Sequence, residues 1–326
     1  MKQFLKKSLS SFIPIKFIVN KCNPILLYHS LGTNSNFVNN IDHVDLITLE
    51  NQLKNIQKYW KFVSIDEYAE AKNKKGITSL TIDDGYKNII DEALKLFEKL
   101  DIPLTIFINS STFNGKIFWR DKVRYIIENN LVEEFIDSSK LFKKDHIKTF
   151  YSVSKNPEFN SKQVEQDINE FILRNKIKIK SSLKLCFDHE NYLIKHPLVS
   201  YGNHTANHYV LSSLNEEEQY QDINECKNFI DKSKVKTSNV FSVPFGGLDS
   251  FNETTLNIID DMNYKTILKS MNNLDSVIFS NQIDRIMPKM DDINQSIKEL
   301  YLKKIVKNKI IYFDYFKDIL KNKIKK

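Results

Sequence analysis

The 326-residue sequence predicts an α/β fold with a partly parallel sheet, interrupted by a helical insertion. Residues 76–111 read strand, helix, strand, the order of a βαβ unit whose two strands run parallel. Between about Lys116 and Lys195 the strand pattern gives way to helical periodicity and polar or aromatic stretches without a glycine. Strands and helices then alternate again from residue 197 onward.

In order, "NPILLYHS" (23–30) is a short apolar run entered after a proline, a buried strand that ends at His29. Leu49, Leu53, Ile56 and Trp60 in "TLENQLKNIQKYW" fall at helical spacing, with Thr48 as the expected N-cap. "GITSLTIDDG" (76–85) is a β-branched strand stopping at two aspartates and a glycine. "KNIIDEALKLFEKLD" (87–101) is an amphipathic helix and "IPLTIFINSS" (102–111) the next strand. "FWRDKVRYIIENNLVEEFI" and "SKQVEQDINEFILRNKIK" read as helices of the insertion. After it come a strand at "PLVSYGNH", a helix at "NEEEQYQDINECKNFIDKS", a strand at "NVFSVPFGG", a helix and strand in "FNETTLNIIDDMNYKTILKS", and a last short strand near "DRIMPK".

A hydrophobic content of 41% with 27% charged residues is ordinary for a globular enzyme, enough for one large α/β domain with an insertion or two modest ones. Three cysteines without a C-x-x-C pair argue against a disulfide framework and fit a reducing compartment. No stretch reaches the roughly 18 apolar residues of a spanning helix. The basic, partly apolar start, "MKQFLKKSLSSFIPIKFIVNKCNP", is broken by Pro14 and Lys16, so no clear signal peptide is read. Residues 301–326 hold nine lysines and two aspartates, which equals the whole net charge of +7. With apolar residues interleaved, this tail reads as a basic amphipathic helix, suited to an anionic membrane surface or to packing its apolar stripe on the domain. Nucleic acid is not an expected partner, since no second basic patch or binding motif accompanies it.

Only seven glycines occur, and Gly85, Gly202, Gly246 and Gly247 each follow or close a predicted strand. Ligands of α/β sheets bind at the loops after strand carboxyl ends, where tight turns need glycine. His204 and His208 in "YGNHTANH", four apart, are expected on one face of a helical turn, where both imidazoles reach one cation. Chance also supplies such a pair. Asp83 and Asp84, adjacent at the end of an apolar strand, would repel if buried together without a positive partner. A divalent metal held by one aspartate and two histidines meets that need and lowers the pKa of a bound water, and the other aspartate then stands beside it as a base.

On these residues the chain resembles the polysaccharide deacetylase (NodB-like) family, carbohydrate esterase family four. "TIDDGY" resembles its T-F-D-D-G motif, "NHTANH" its H-S/T-x-x-H motif, and "SVPFGG" is similar to its proline-containing third motif. The similarity covers about residues 23–115 and 196–290. It implies a distorted (β/α) barrel; with the patterning above, the expected organisation is a barrel domain at 23–290 carrying the helical insertion at about 116–195, a basic segment at 1–22 and a basic amphipathic helix at 291–326. It also implies Asp83 as general base, Asp84, His204 and His208 as ligands of a divalent metal, usually zinc, and Thr205 as a brace of the metal loop. The backbone N–H near Tyr86 would help hold the oxyanion, and Pro244 and Phe245 would wall the sugar groove.

Two features depart from the family pattern. The arginine that many members place two residues before the third-motif proline is Ser242 here, and no histidine follows His208 to serve as the usual general acid. His29 at the end of the first strand is the candidate acid, with a structural or substrate-contact role as the alternative, and Arg285 is the candidate orienter of Asp83, with a plain salt bridge as its alternative. The expected activity is metal-dependent removal of an acyl group, chiefly acetyl, from an N-acetylated sugar of a surface polysaccharide or its lipid-linked or nucleotide-linked precursor. The expected location is the cytoplasm or the cytoplasmic membrane face. The rivals are deformylation or cyclic-amide hydrolysis on the same scaffold, and a silent carbohydrate-binding relative.

Overall fold

The computed structural model describes residues 10–19, 21–33, 42–179, 183–274, 281–288 and 292–306. After a short helix α1 (Ile15–Val19), the apolar run behind Pro24 forms β1 (Ile25–Tyr28), buried throughout. β2 (Ser30–Gly32) pairs with β3 (His43–Asp45) outside the main sheet. Helix α2 (Leu46–Gln57) begins two residues before the expected cap: Asp45, not Thr48, is the N-cap, its carboxylate accepting from the Thr48 N–H at 2.9 Å. β4 (Lys61–Phe62) and α3 (Ile65–Glu70) lead to β5 (Ile77–Ile82), which ends just before the two aspartates. The next helix opens as a π turn over Ile89–Ala93 and continues as α4 (Leu94–Leu100), so the expected single helix is irregular in its first turns.

β6 (Leu104–Ile108) precedes the insertion, which is helical as expected but more broken: α5 (Trp119–Glu128), α6 (Val132–Ser138), α7 (Phe150–Val153) and α8 (Ser161–Arg174). The run expected as one helix over 118–136 divides after α5, where Asn130 takes φ 57°. β7 (Val199–Asn203), α9 (Glu216–Lys232), β8 (Thr237–Ser242), α10 (Glu253–Asp261) and β9 (Thr266–Lys269) follow the expected order. α9 carries a reciprocal capping box between Asn215 and Glu218. The last strand, β10 (Gln282–Asp284), lies slightly earlier than "DRIMPK", and a helix, α11, covers 293–306.

The main sheet runs β1-β5-β6-β7-β8-β9-β10, every pair parallel, with β4 added beside β5. Ile286, just past β10, bridges back to Leu26 of β1, which nearly closes the sheet into the expected (β/α) barrel. Ile25, Phe107, Val240, Leu268 and Ile283 from five strands form a cluster separate from the helix-covered core, plugged by Ile65 and Tyr68 of α3. Side chains alternate along a strand, so two residues beyond each member of that cluster the same register continues toward the strands' carboxyl ends. Counting on in twos gives His29, Ser242, Ser270 and Arg285, and in the same way Asp83 follows Thr81 and His204 follows Gly202. Residues far apart in sequence are thereby ranked on one rim. Gly202 is required for this: a Cβ there would lie 2.3 Å from the Phe107 ring.

The described parts of both ends pack together. Ile293, Ile297 and Tyr301 of α11 are buried in the same core as Ile18 and Cys22, the Phe17 and Tyr301 rings meet at 6.2 Å, and Gln295 donates to Ser10 Oγ at 2.7 Å. Residues 1–9 of the expected basic segment and 307–326 of the expected tail helix lie outside the described residues.

Candidate functional site

Asp83 leaves β5 with its N–H on the Tyr28 carbonyl, and the chain then turns through Asp84 at φ 70° and Gly85 at φ 65°. A non-glycine residue in this left-handed region is strained unless its surroundings hold it there. Asp84 is 5% exposed, and its Oδ1 lies 3.5 Å from His204 Nε2 and 3.3 Å from His208 Nε2. Donor atoms of these three residues fall within 4.8 Å of one another.

The two histidines do not share a helical turn. Residues 204–208 form an irregular loop in which Thr205 and His208 take φ 65° and 57°. Spacing alone suggested a helix, but side chains on neighbouring elements dictate another path. Asn203 Oδ1 accepts from the Thr205 N–H and Thr205 Oγ1 from the His208 N–H, at 2.8 and 2.9 Å. Asn109 donates to the His204 carbonyl at 2.6 Å and Trp119 to the His208 carbonyl at 3.0 Å. Asp222 of α9 accepts from Asn207 through both backbone and side chain. Thr205 stands where the resemblance placed a brace. Asn109, Trp119 and Asp222 were missed because single polar residues on separate elements form no readable motif.

The cluster fits a divalent cation. His204 Nδ1 lies 2.8 Å from the Ser242 carbonyl, which fixes the proton on Nδ1 and leaves a lone pair on Nε2. Burial lowers the His204 pKa to about 4 and drives that of His208 well down, so both rings are neutral at pH 7. Asp84 Oδ1 is buried without a hydrogen-bond partner among the described residues, and burial, followed by the Asp83 charge, pushes its pKa up. Lone pairs facing one carboxylate oxygen lack a positive partner, and a cation supplies one.

Asp83 is in the opposite situation. Arg285 Nη1 and Nη2 meet its two oxygens at 2.7 and 2.6 Å, and Ser242 Oγ donates to Oδ2 at 3.1 Å while accepting from the same guanidinium at 2.9 Å. Burial alone would raise its pKa, but the Arg285 charge and hydrogen bonds overcome this and hold it at about 2. Arg285, expected as the orienter, is in contact with Asp83, and Ser242, where the family arginine was missing, bridges the two. Beside the small Ser242 side chain stands the guanidinium of Arg285, the residue just past β10.

His29 lines the same cavity, about 160 Å³, with Asp83, Asp84, both site histidines and Phe245. Its Nδ1 has no partner among the described residues, and burial lowers its pKa against the pull of Asp83 and Asp42. Phe245 packs on His208 at 4.6 Å between ring centroids, whereas Pro244 is buried and does not line the cavity. Tyr86 is also behind the wall, its hydroxyl donating to Asp121 at 3.3 Å. The insertion supplies the far side through Phe118, Arg120, Arg124, Tyr151 and Lys155, none of which the sequence singled out.

Residues 141–267 match the family model described as Polysaccharide deacetylase, a span that includes His204 and His208 but starts after Asp83 and Asp84. No curated protein matches the chain in sequence. Solved structures share the fold. The deacetylase PplD of Streptococcus pyogenes, in complex with acetate, is 16% identical over 86% of this chain and 99% of its own, with a TM-score of 0.52. A de-N-acetylase of Aggregatibacter actinomycetemcomitans is 13% identical over 85% and 99%, at 0.54. IcaB of Ammonifex degensii is 14% identical over 86% and 97%, at 0.50. Residues 141–267 thus carry the match to the polysaccharide deacetylase model, and the chain shares the nearly closed parallel barrel of the solved deacetylases, with the Asp84, His204 and His208 cluster on its rim.

Proposed function

We propose that this protein removes the acetyl group from an N-acetylated sugar, using a divalent cation held by Asp84, His204 and His208. The observation that carries the reading is one cavity in which a carboxylate locked ionised by Arg285 stands beside a three-ligand cluster. Zinc fits, since two imidazoles and a carboxylate are a common catalytic zinc set. When bound, such an ion polarises an amide carbonyl and lowers the pKa of a water.

The chain's own residues do the rest. Asp83 accepts the proton of the attacking water, and Arg285 with Ser242 fixes its position while it does so. His204 is held in one tautomer by the Ser242 carbonyl, so the residue that steadies the base also orients a ligand. His29 donates to the leaving amine from the cavity wall. Because burial lowers its pKa, the proton that Asp83 takes from the attacking water has to be passed on to His29 before the amine leaves. The acetate in the PplD structure supports acetyl as the group removed.

Asp83→Asn tests the reading. Release of acetate and formate from a panel of N-acylated sugars should fall by two or more orders of magnitude, with metal content unchanged by elemental analysis. Full turnover in that variant would refute the assignment of the base.

A further inference from the structure

The insertion places two cations, Arg120 and Lys155, on the cavity wall without an ion-pair partner among the described residues. Arg120 is 1% exposed, donates to Ser154 Oγ at 2.9 Å and to the Tyr151 carbonyl at 3.1 Å, and lies against the Trp119, Tyr151 and Phe245 rings. Lys155 stands 5.0 Å from the Tyr151 ring centroid and 5.7 Å from that of Phe245. Among the described residues neither is within ion-pairing distance of an acid, whereas Arg124 is paired with Asp121 at 2.7 Å and Asp83 with Arg285. Apart from Asp83 and Asp84, Asp42 is the acidic group that lines this cavity. A divalent ion on Asp84 leaves a surplus of positive charge there even after Asp42 is counted. A buried guanidinium whose partners are neutral is costly, and its retention needs a compensating ligand. Lys155 and Phe245 also border a second, open groove of about 500 Å³ with Asn156, Asp249 and Ser250, so Lys155 stands where one space leads to the other.

We infer that the substrate carries an oxyanion, a phosphate ester or a carboxylate, on the acylated sugar or the one beside it, and that Arg120 and Lys155 bind that group. This rests on the proposed amide hydrolysis, and it names the substrate class that a neutral polysaccharide would not satisfy. The Tyr151 and Phe245 rings flank both cations and give the sugar an apolar face to lie on.

The test uses the full metal-loaded chain and three forms of one N-acetylated sugar: a neutral methyl glycoside, its phosphate ester and its uronate. An anionic form should show kcat/KM at least tenfold above the neutral one, with an advantage that shrinks as NaCl is raised. The better of the two anionic arms identifies the oxyanion. Lys155→Gln, half-buried and checked for folding by its melting curve, should lower the anionic-to-neutral ratio about tenfold, and Arg120→Lys should lower it as well. Equal or better turnover of the neutral form overturns the inference. Should no N-acylated sugar be hydrolysed, the amide reading fails by itself, and the anion site is then read from sulfate titrated calorimetrically into the same protein. Binding weakened about tenfold in Lys155→Gln upholds the site, and sulfate affinity that is absent or unchanged in the variant sinks it.

Discussion

Arg285 shows how one side chain sets the chemistry of another. Its guanidinium grips both oxygens of Asp83 from just past β10, about two hundred positions away in the chain, and burial makes that grip decisive. Taking the charge away leaves a buried carboxylate that desolvation pushes toward protonation. In metal-loaded Arg285→Gln the acid limb of the kcat/KM profile should therefore move to higher pH, because Asp83 loses the group that held its pKa below the usual 3.8. A profile that stays in place would show that Arg285 does not tune the base. Breaking one partner of such a buried pair also costs about 3–5 kcal/mol of stability, so the melting point should fall with it. Asp83, Asp84, His204 and His208 were legible because adjacent carboxylates and spaced histidines are scarce patterns at strand ends. Arg285 was legible only through the family resemblance, from its place near the missing last motif. Arg120 and Lys155 were not, since a cation in a helical run reads as solvated surface until its neighbours are known.

Among the elements, β7 has the narrowest tolerance. Gly202 lets the strand pass the Phe107 ring two residues before His204. Gly202→Ala should cost about 1–3 kcal/mol, lower the melting point by several degrees and weaken metal binding by isothermal titration, because the strain falls on the strand that presents a ligand. A variant with unchanged metal affinity would show that the loop positions His204 independently of its strand. The glycine was visible in the sequence as a rare residue at a strand end, but its reason, an aromatic ring in the barrel's interior, was not. The loop that follows was misread for a related cause. Four-residue spacing describes a helix only when the backbone is free to form one, and here Asn203, Asn109, Trp119 and Asp222 impose left-handed turns instead.

For the molecule as a whole, element order and a partly parallel sheet followed from alternating strand and helix patterns and the barrel from the family resemblance, while the packing of the two ends against each other left no periodic trace. Tyr301 belongs to the core, so a truncation meant to probe the basic tail should begin after residue 306. Removing 307–326 should reduce partition onto vesicles containing anionic lipid and leave metal content and melting point as they were. Unchanged partition would dismiss the tail as an anchor. The near-closure of the barrel through Ile286 has a consequence for the protein during its synthesis. A ribosome that has delivered 284 residues has already made both aspartates, both site histidines and most of the parallel strands, yet the guanidinium that steadies the base is still to come. The proposed cation ligands Asp84, His204 and His208 are therefore all synthesised before the guanidinium that pairs with Asp83.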